Sequence, residues 1–522
     1  MHRPRFLSGA TAVVAASLLT TSCTTGSSPS AEGGGAGGPS GGGTVRLALT
    51  SDVTTFDPIK QQAASDYVVG RLMYETLVGQ DDGGRIVPRL AEKWEESPTG
   101  ATFTLKKGVT CSDGTPLTAS QVAASLKRYQ TDSAGTAMTF GPGNTGKGTR
   151  ITGDDGAGTV GIELASPWGE LLPGLANTTT GIVCSSGLRA GDGLGTGPVA
   201  GAGTGAYEMV RTERGSAYEL KLREGFDAWP EYAAMPAGKA AGTLKVSVVK
   251  NESTLANQLR TGAVDYGGFT GPDAARFTKG GFTVEAAPLI RNFVAFNQRE
   301  GHPGADPRVR RAVAQALDAE AFNKVFGGAG DVMTSYVDDE APCVSTDASL
   351  LTKADPTAAR KILKGVKIKL VGSNAVGQGA GNTYVQEALR AAGADVKLTN
   401  ADNGTWATQV TGNQGDWDLT VFPFISGQLA RGGVYFIGDE PAAGRNFGAV
   451  DNKAFLAGYG AATATVDRNA KCAAWQQAQD ALLRANDVVP LATVNVHYVF
   501  REGISAAVPA GSFDPATLRI AD

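Results

Sequence analysis

The residues that could do chemistry in this chain are few. Of 522 residues, five are cysteine and three are histidine. No CxxC or HExxH spacing occurs, so zinc ligation is not expected. His302 and His497 stand isolated, with no nucleophile beside them in sequence. The folded part of the chain carries no GxSxG elbow. Gly141-Pro-Gly-Asn-Thr-Gly146-Lys147-Gly148 comes close to a phosphate-binding loop, but Gly148 stands where a Ser or Thr must reach the magnesium ion. Lys and Arg number 47 against 51 Asp and Glu, a net charge of −4. That balance argues against nucleic acid, whose phosphates call for a clustered basic surface. No catalytic, nucleotide-binding or metal-binding motif is thus found, and no cofactor and no metal are expected.

The N-terminus sets the compartment. Residues 1–22 read as an export signal: His2, Arg3 and Arg5 precede the apolar run Leu7–Leu19, too short for a permanent span. Leu19-Thr-Thr-Ser-Cys23 is similar to the lipoprotein cleavage signal, which makes Cys23 the lipidated N-terminus of the mature chain. The alternative is ordinary secretion with Cys23 discarded or free. Residues 23–43 contain no large apolar residue, and the stretch is rich in Gly and Ser, the composition of a flexible tether. No later window has about 20 uninterrupted apolar residues, so the lipid is the expected membrane contact.

The elements that position any site alternate between strand and helix. Strand-like alternation marks Val45–Leu49, Phe103–Lys106 and Tyr218–Leu222. Further strands are expected at Leu244–Val249, Phe293–Asn297, Val366–Val371, Leu419–Phe422 and Leu491–Phe500. Thr118, Asp306 and Asp355 read as helix caps, the last two followed by proline, and a longer helix is expected from about Asp467 to Arg484. The fold class is therefore α/β. The Gly-rich stretches 131–159 and 187–205 read as surface loops. At about 150 residues per domain the length suggests three domains.

Several segments then line up in order. They are Thr55-Phe-Asp-Pro58, Tyr74-Glu-Thr-Leu-Val78, Pro88-Arg-Leu-Ala-Glu-Lys-Trp94, Ser112-Asp-Gly-Thr-Pro-Leu-Thr-Ala119, Gly203-Thr-Gly-Ala-Tyr207, Asp306-Pro-Arg-Val-Arg-Arg-Ala312 and Asp355–Leu363. In this order the sequence resembles the extracellular solute-binding proteins of the peptide/nickel type, family 5, which feed ABC importers. The resemblance covers nearly the whole mature chain. It implies a two-lobed, periplasmic-binding-protein-like fold of type II with an extra subdomain. The core of lobe one would comprise 44–75, 200–290 and 490–522, with an inserted subdomain at 76–199. Lobe two would comprise 291–489. The chain would cross between lobes near Leu289–Phe293 and near Val488–Ala492, and the glycines Gly203 and Gly205 would let it turn where it passes between domains.

The implied function is capture of a peptide or peptide-like solute in a cleft between hinged lobes, delivered to an ABC permease and ATPase by a monomer. Carried over by position, the cleft residues are Trp406, Phe422, Phe424 and Ser426 from lobe two, Phe269 and Thr270 from lobe one, and Phe140 from the insertion. Arg431 and Tyr435 fall in a variable loop nearby. Peptide-binding members carry an Asp after this lobe-two strand to pair with the peptide's ammonium group. Here Phe424, Ile425 and Ser426 stand instead, so an oligosaccharide or another small molecule that stacks on aromatic rings is the alternative cargo. A cell-surface sensor signalling to a partner protein is a second alternative. Four cysteines remain after Cys23 and allow three pairings. Bridges within lobes leave a hinge free, so the two-lobed reading implies Cys111–Cys184 and Cys343–Cys472.

Overall fold

The computed structural model describes residues 42–145 and 148–521. One large mixed sheet of twelve strands is built around eight of them. They are Gly42–Leu49 (β1), Lys239–Val248 (β2), Tyr266–Phe269 (β3), Phe282–Phe296 (β4), Lys367–Ser373 (β5), Asp395–Ala401 (β6), Leu419–Phe424 (β7) and Val488–Arg501 (β8). Their spatial order is β6-β5-β7-β4-β8-β3-β1-β2, and further short strands continue beyond β2. The fold class is α/β, as the alternation of patterns predicts.

Two strands hold the halves of this sheet together. β4 and β8 run antiparallel from Phe282–Arg501 to Ala295–Val488. β7 pairs only with the second half of β4, at Arg291–Phe296, whereas β3 pairs with the far end of β8, at His497–Phe500. The β4–β8 register slips between Pro288 and Ile290 and again between Arg291 and Phe293. Such bulges bend a strand pair locally, and Pro288 has no N–H to give the ladder. The bends therefore fall where one half of the sheet hands over to the other.

The helices start where the caps predict. Ala119–Asp132 (α1) begins after Thr118, whose hydroxyl accepts from the Gln121 amide at 3.4 Å. Pro307–Ala316 (α2) and Pro356–Leu363 (α3) begin after Asp306 and Asp355, which accept from Arg308 N at 2.8 Å and Ala358 N at 2.9 Å. Lys453–Thr463 (α4) is capped by Asn452, and Arg468–Arg484 (α5) by Asp467. The apolar faces of α2 and α3, with Val313, Ala359 and Leu363, pack against β5 and β7 through Leu370 and Leu419.

Three expectations change. The stretch 131–159 is not simply a surface loop: it holds a short helix at Thr136–Phe140 and a strand at Arg150–Asp154, which pairs with Thr159–Glu163 in a separate four-stranded sheet. The stretch 187–205 likewise contains helical turns, and Leu194 within it is fully buried. Gly203 and Gly205 serve close approach rather than a turn. A Cβ at Gly203 would lie 2.7 Å from the Met73 carbonyl oxygen, and one at Gly205 would overlap that of Leu72. The export signal, Cys23 and the tether up to residue 41 lie outside the described residues, as do Gly146 and Lys147 of the loop like a phosphate cradle.

Cys111 pairs with Cys184 across 73 residues, and Cys343 with Cys472 across 129. Buried charge ties the segment 76–199 to the first half of the sheet. Arg89, fully buried, bonds Glu75 at 2.5 Å and also reaches Asp514 and Tyr232. Burial alone would push the Asp514 carboxyl up, but the Arg89 and Arg71 guanidiniums outweigh it and hold the group below its usual value. Arg128 of α1 likewise forks onto buried Asp57 at 2.9 and 2.5 Å. Arg223 donates to the carbonyls of Thr110 and Cys111, both at 2.7 Å.

Candidate functional site

The loop after β7 is the place to build from. β7 lies between β5 and β4, and all but one of its residues are buried. Phe422 stacks between Phe293 (5.2 Å between centroids, 13° between planes) and Phe447 (5.3 Å, 14°). Trp406 meets the Phe422 ring edge-on at 5.4 Å and donates its indole N–H to Thr420 Oγ1 at 3.0 Å. Phe424 and Tyr435 close the group, 6.3 Å apart and nearly perpendicular. Trp406, Phe422 and Phe424 are each about 5% exposed. Their faces are taken up mostly by one another, and Tyr435, half-buried, is the ring that keeps an open edge.

Beyond this wall the chain turns outward. Ile425 is 59% exposed, and Ser426, Gly427 and Gln428 are half-buried. No carboxylate occurs in this turn. The Asp338 carboxylate beside Gly427 is held by Arg291 of β4, Nε to Oδ2 at 2.5 Å, in a pair almost wholly buried. Arg431 follows on the short helix Leu429–Gly433. Its Nη1 donates to Asn177 Oδ1 at 2.6 Å, while its Nε is buried and has no partner. Burial holds the Tyr67 phenol above its usual value, and the Arg431 charge offsets only part of that. Gln428 donates to Gln80 at 3.3 Å. A cavity of about 160 Å³ opens along this seam between Gln80, Glu170 and Pro173 on one side and Pro342, Gln428, Leu429, Lys471 and Trp475 on the other. The ring wall does not line it; Gln428 and Leu429 join the two places. A cavity of about 150 Å³ holds one benzene-sized ring.

The structure thus brings the rings of Trp406, Phe422, Phe424 and Tyr435 together, with Ser426 in the turn and Arg431 on the short helix that follow β7. Three expected contacts lie elsewhere. Phe140 is fully buried, its ring 6.1 Å from that of Tyr129, so no face is open to a solute. Phe269 is fully buried against Phe277 at 5.2 Å. Thr270 spends its hydroxyl and amide on Glu252 at 2.9 and 3.0 Å. Asn177, Gln80, Gln428 and Tyr67 were not expected. Asn177 meets Arg431 across 254 residues and Gln80 meets Gln428 across 348, separations at which no sequence spacing signals a pair. His302 is a satisfied structural histidine, with Nδ1 2.7 Å from Asp418. Among the described residues, no group of three or more His, Cys, Asp or Glu is placed to hold a metal ion, and no helix is long and apolar enough to cross a membrane.

Comparison with known proteins adds the following. The family profile "Bacterial extracellular solute-binding proteins, family 5 Middle" matches residues 85–429. A solved substrate-binding protein from Microbacterium hydrocarbonoxydans, complexed with 4-hydroxybenzoate hydrazide, is 38% identical; the match covers 92% of this chain and 100% of that one, with a TM-score of 0.79. The glutathione-binding protein GsiB of Salmonella typhimurium is 25% identical over 503 residues, 91% of this chain and 94% of the relative. NikA from Staphylococcus aureus, solved with Ni(L-His)2, shares the fold with a TM-score of 0.69 at 17% identity, covering 90% of this chain and 98% of that one.

Proposed function

The chain belongs to the bacterial extracellular solute-binding proteins of family 5, the capture components of ABC importers, and from that premise we propose that its cargo is a small, ring-bearing acyl compound. The two lobes are 44–75, 200–290 and 490–522 with the insertion 76–199, and 291–489. They close over the cargo about the bent strands β4 and β8, and the loaded form passes it to a permease and ATPase. Nothing in this cycle calls for covalent chemistry.

The observation that carries the reading is Arg431. Its guanidinium has an unpartnered, buried Nε and sits on the short helix that follows the aromatic strand β7 and a turn lacking a carboxylate. A carbonyl or carboxylate oxygen satisfies that N–H, and a flat ring lies against Tyr435. The 38% identical relative was solved with a compound of this kind. A peptide or peptide-like solute is the second reading, favoured by the glutathione-binding relatives. Its ammonium group would have to draw Asp338 away from Arg291.

Calorimetric titration of the mature chain with 4-hydroxybenzoate hydrazide and with glutathione separates the two. The expected result is saturable binding of the hydrazide, weakened about tenfold in Arg431→Ala by loss of one charged hydrogen bond. Binding of glutathione alone, or hydrazide binding unchanged in the variant, contradicts the proposal.

We also infer that the receptor is anchored through a lipid on Cys23 and the tether that follows. The expected intact mass is that of a chain beginning at Cys23 with a diacylglyceryl group. An unmodified N-terminus contradicts it.

A further inference from the structure

The segment 76–199 meets its two neighbours in different ways. Towards the first half of the sheet its contacts are buried and charged: Arg89 with Glu75 and Asp514, Arg128 with Asp57, and the Cys111–Cys184 region bonded to Ala202 and Gly203 through Cys184 N and Ser112 N. Towards 291–489 the polar contacts are mostly part-buried, and one place gathers several of them. Gly169 N donates to the Thr463 carbonyl at 2.5 Å. Lys471 Nζ donates to the Gly169 carbonyl at 2.7 Å and pairs with Glu170 at 3.2 Å. The two side chains are 17% and 14% exposed. A Cβ at Gly169 would overlap the Thr465 carbonyl oxygen, so only glycine permits this approach.

Both sides of the contact are held rigid from behind. Trp168 donates its amide to Pro98 and its indole N–H to Thr139 O at 3.0 Å. Thr463 ends α4, and Lys471 lies in the first turn of α5, next to Cys472 and its bridge to Cys343. Glu170 and Lys471 also line the seam cavity.

We propose that Gly169, Glu170 and Lys471 form a latch between the inserted segment and the second lobe, which sets how long the closed receptor keeps its solute. They are positioning residues: they act on the closed–open equilibrium and need not touch the cargo. A latch made only in the closed form shifts that equilibrium by its full interaction energy. The inference rests on the two-lobed closure described above, but not on which solute is bound.

The test is small-angle X-ray scattering of the ligand-free mature protein, with melting curves, for Gly169→Ala, Lys471→Met and Lys471→Arg. Gly169→Ala and Lys471→Met should raise the radius of gyration, with the closed fraction falling roughly tenfold, the effect of one charged hydrogen bond. Melting temperatures should stay near the wild type, because the interior of each lobe is untouched, and Lys471→Arg should scatter as the wild type does. With 4-hydroxybenzoate hydrazide as the probe, stopped-flow dissociation should be roughly tenfold faster in Lys471→Met with association unchanged. Failure of the hydrazide to bind the wild type would remove that ligand and leave the scattering result to decide the latch. If Gly169→Ala fails to fold, Lys471→Met against Lys471→Arg decides. Scattering from Lys471→Met identical to the wild type, or a wild type already as expanded as the variants, overturns the proposal.

Discussion

Arg89 lies in the interior with two carboxylates and a phenol around it, and Asp514 is the partner supplied from the far end of the chain. Because the Asp514 pKa is held below its usual value, its contribution is complete above the ordinary carboxylate range. It is lost as pH falls through the depressed value. Asp514→Asn keeps the cap to Ala516 N, which the side chain accepts at 3.1 Å, but removes a buried charge. It should cost about 3 kcal/mol at neutral pH, and the gap from wild type should close in acid. Urea titrations at neutral and acid pH measure this; a gap that stays constant contradicts it. At this scale the sequence is legible in kind but not in exposure. Trp406, Phe422, Phe424 and Tyr435 read as an aromatic group. Phe422 at their centre is covered by Phe293 and Phe447, brought in from other parts of the chain, and Phe447 reaches the Tyr435 ring as well.

The elements were easier to read at their ends than in their middles. Caps at Thr118, Asp306, Asp355 and Asp467 are local chemistry, and each stands where its residue type predicts. β4 runs for 15 residues, yet only its end at Phe293 reads as a strand. Pro288 and the charges at Glu285 and Arg291 break the alternation there, because the strand bends at its bulges and passes from one half of the sheet to the other. Arg150–Asp154 is not legible as a strand because Ile151 and Thr152 are cut short by Gly153 and Asp154, both poor strand formers; its pairing with Thr159–Glu163 supplies the order. Cys111–Cys184 lies within 76–199 and Cys343–Cys472 within 291–489. Each closes a loop long enough for chain entropy to contribute about 4–5 kcal/mol, and neither joins one of these segments to the other.

The described residues are built on one large sheet with a bent middle, a segment with its own small sheets riding on one half, and a seam where that segment meets the other half. Order of motifs along the chain gave away this architecture, since a family's shared segments are largely those that turn, cap and pack. The cargo was not legible, because the seam is assembled from Asn177, Gln80 and Arg431, which no local pattern joins. The central claim is that this receptor closes over a small ring-bearing acyl solute. Native mass spectrometry of the mature chain, incubated with equal amounts of 4-hydroxybenzoate hydrazide and glutathione, tests it most directly. The account predicts a single one-to-one adduct with the mass of the hydrazide, lost on denaturation. An adduct with the mass of glutathione, or none at all, would contradict it.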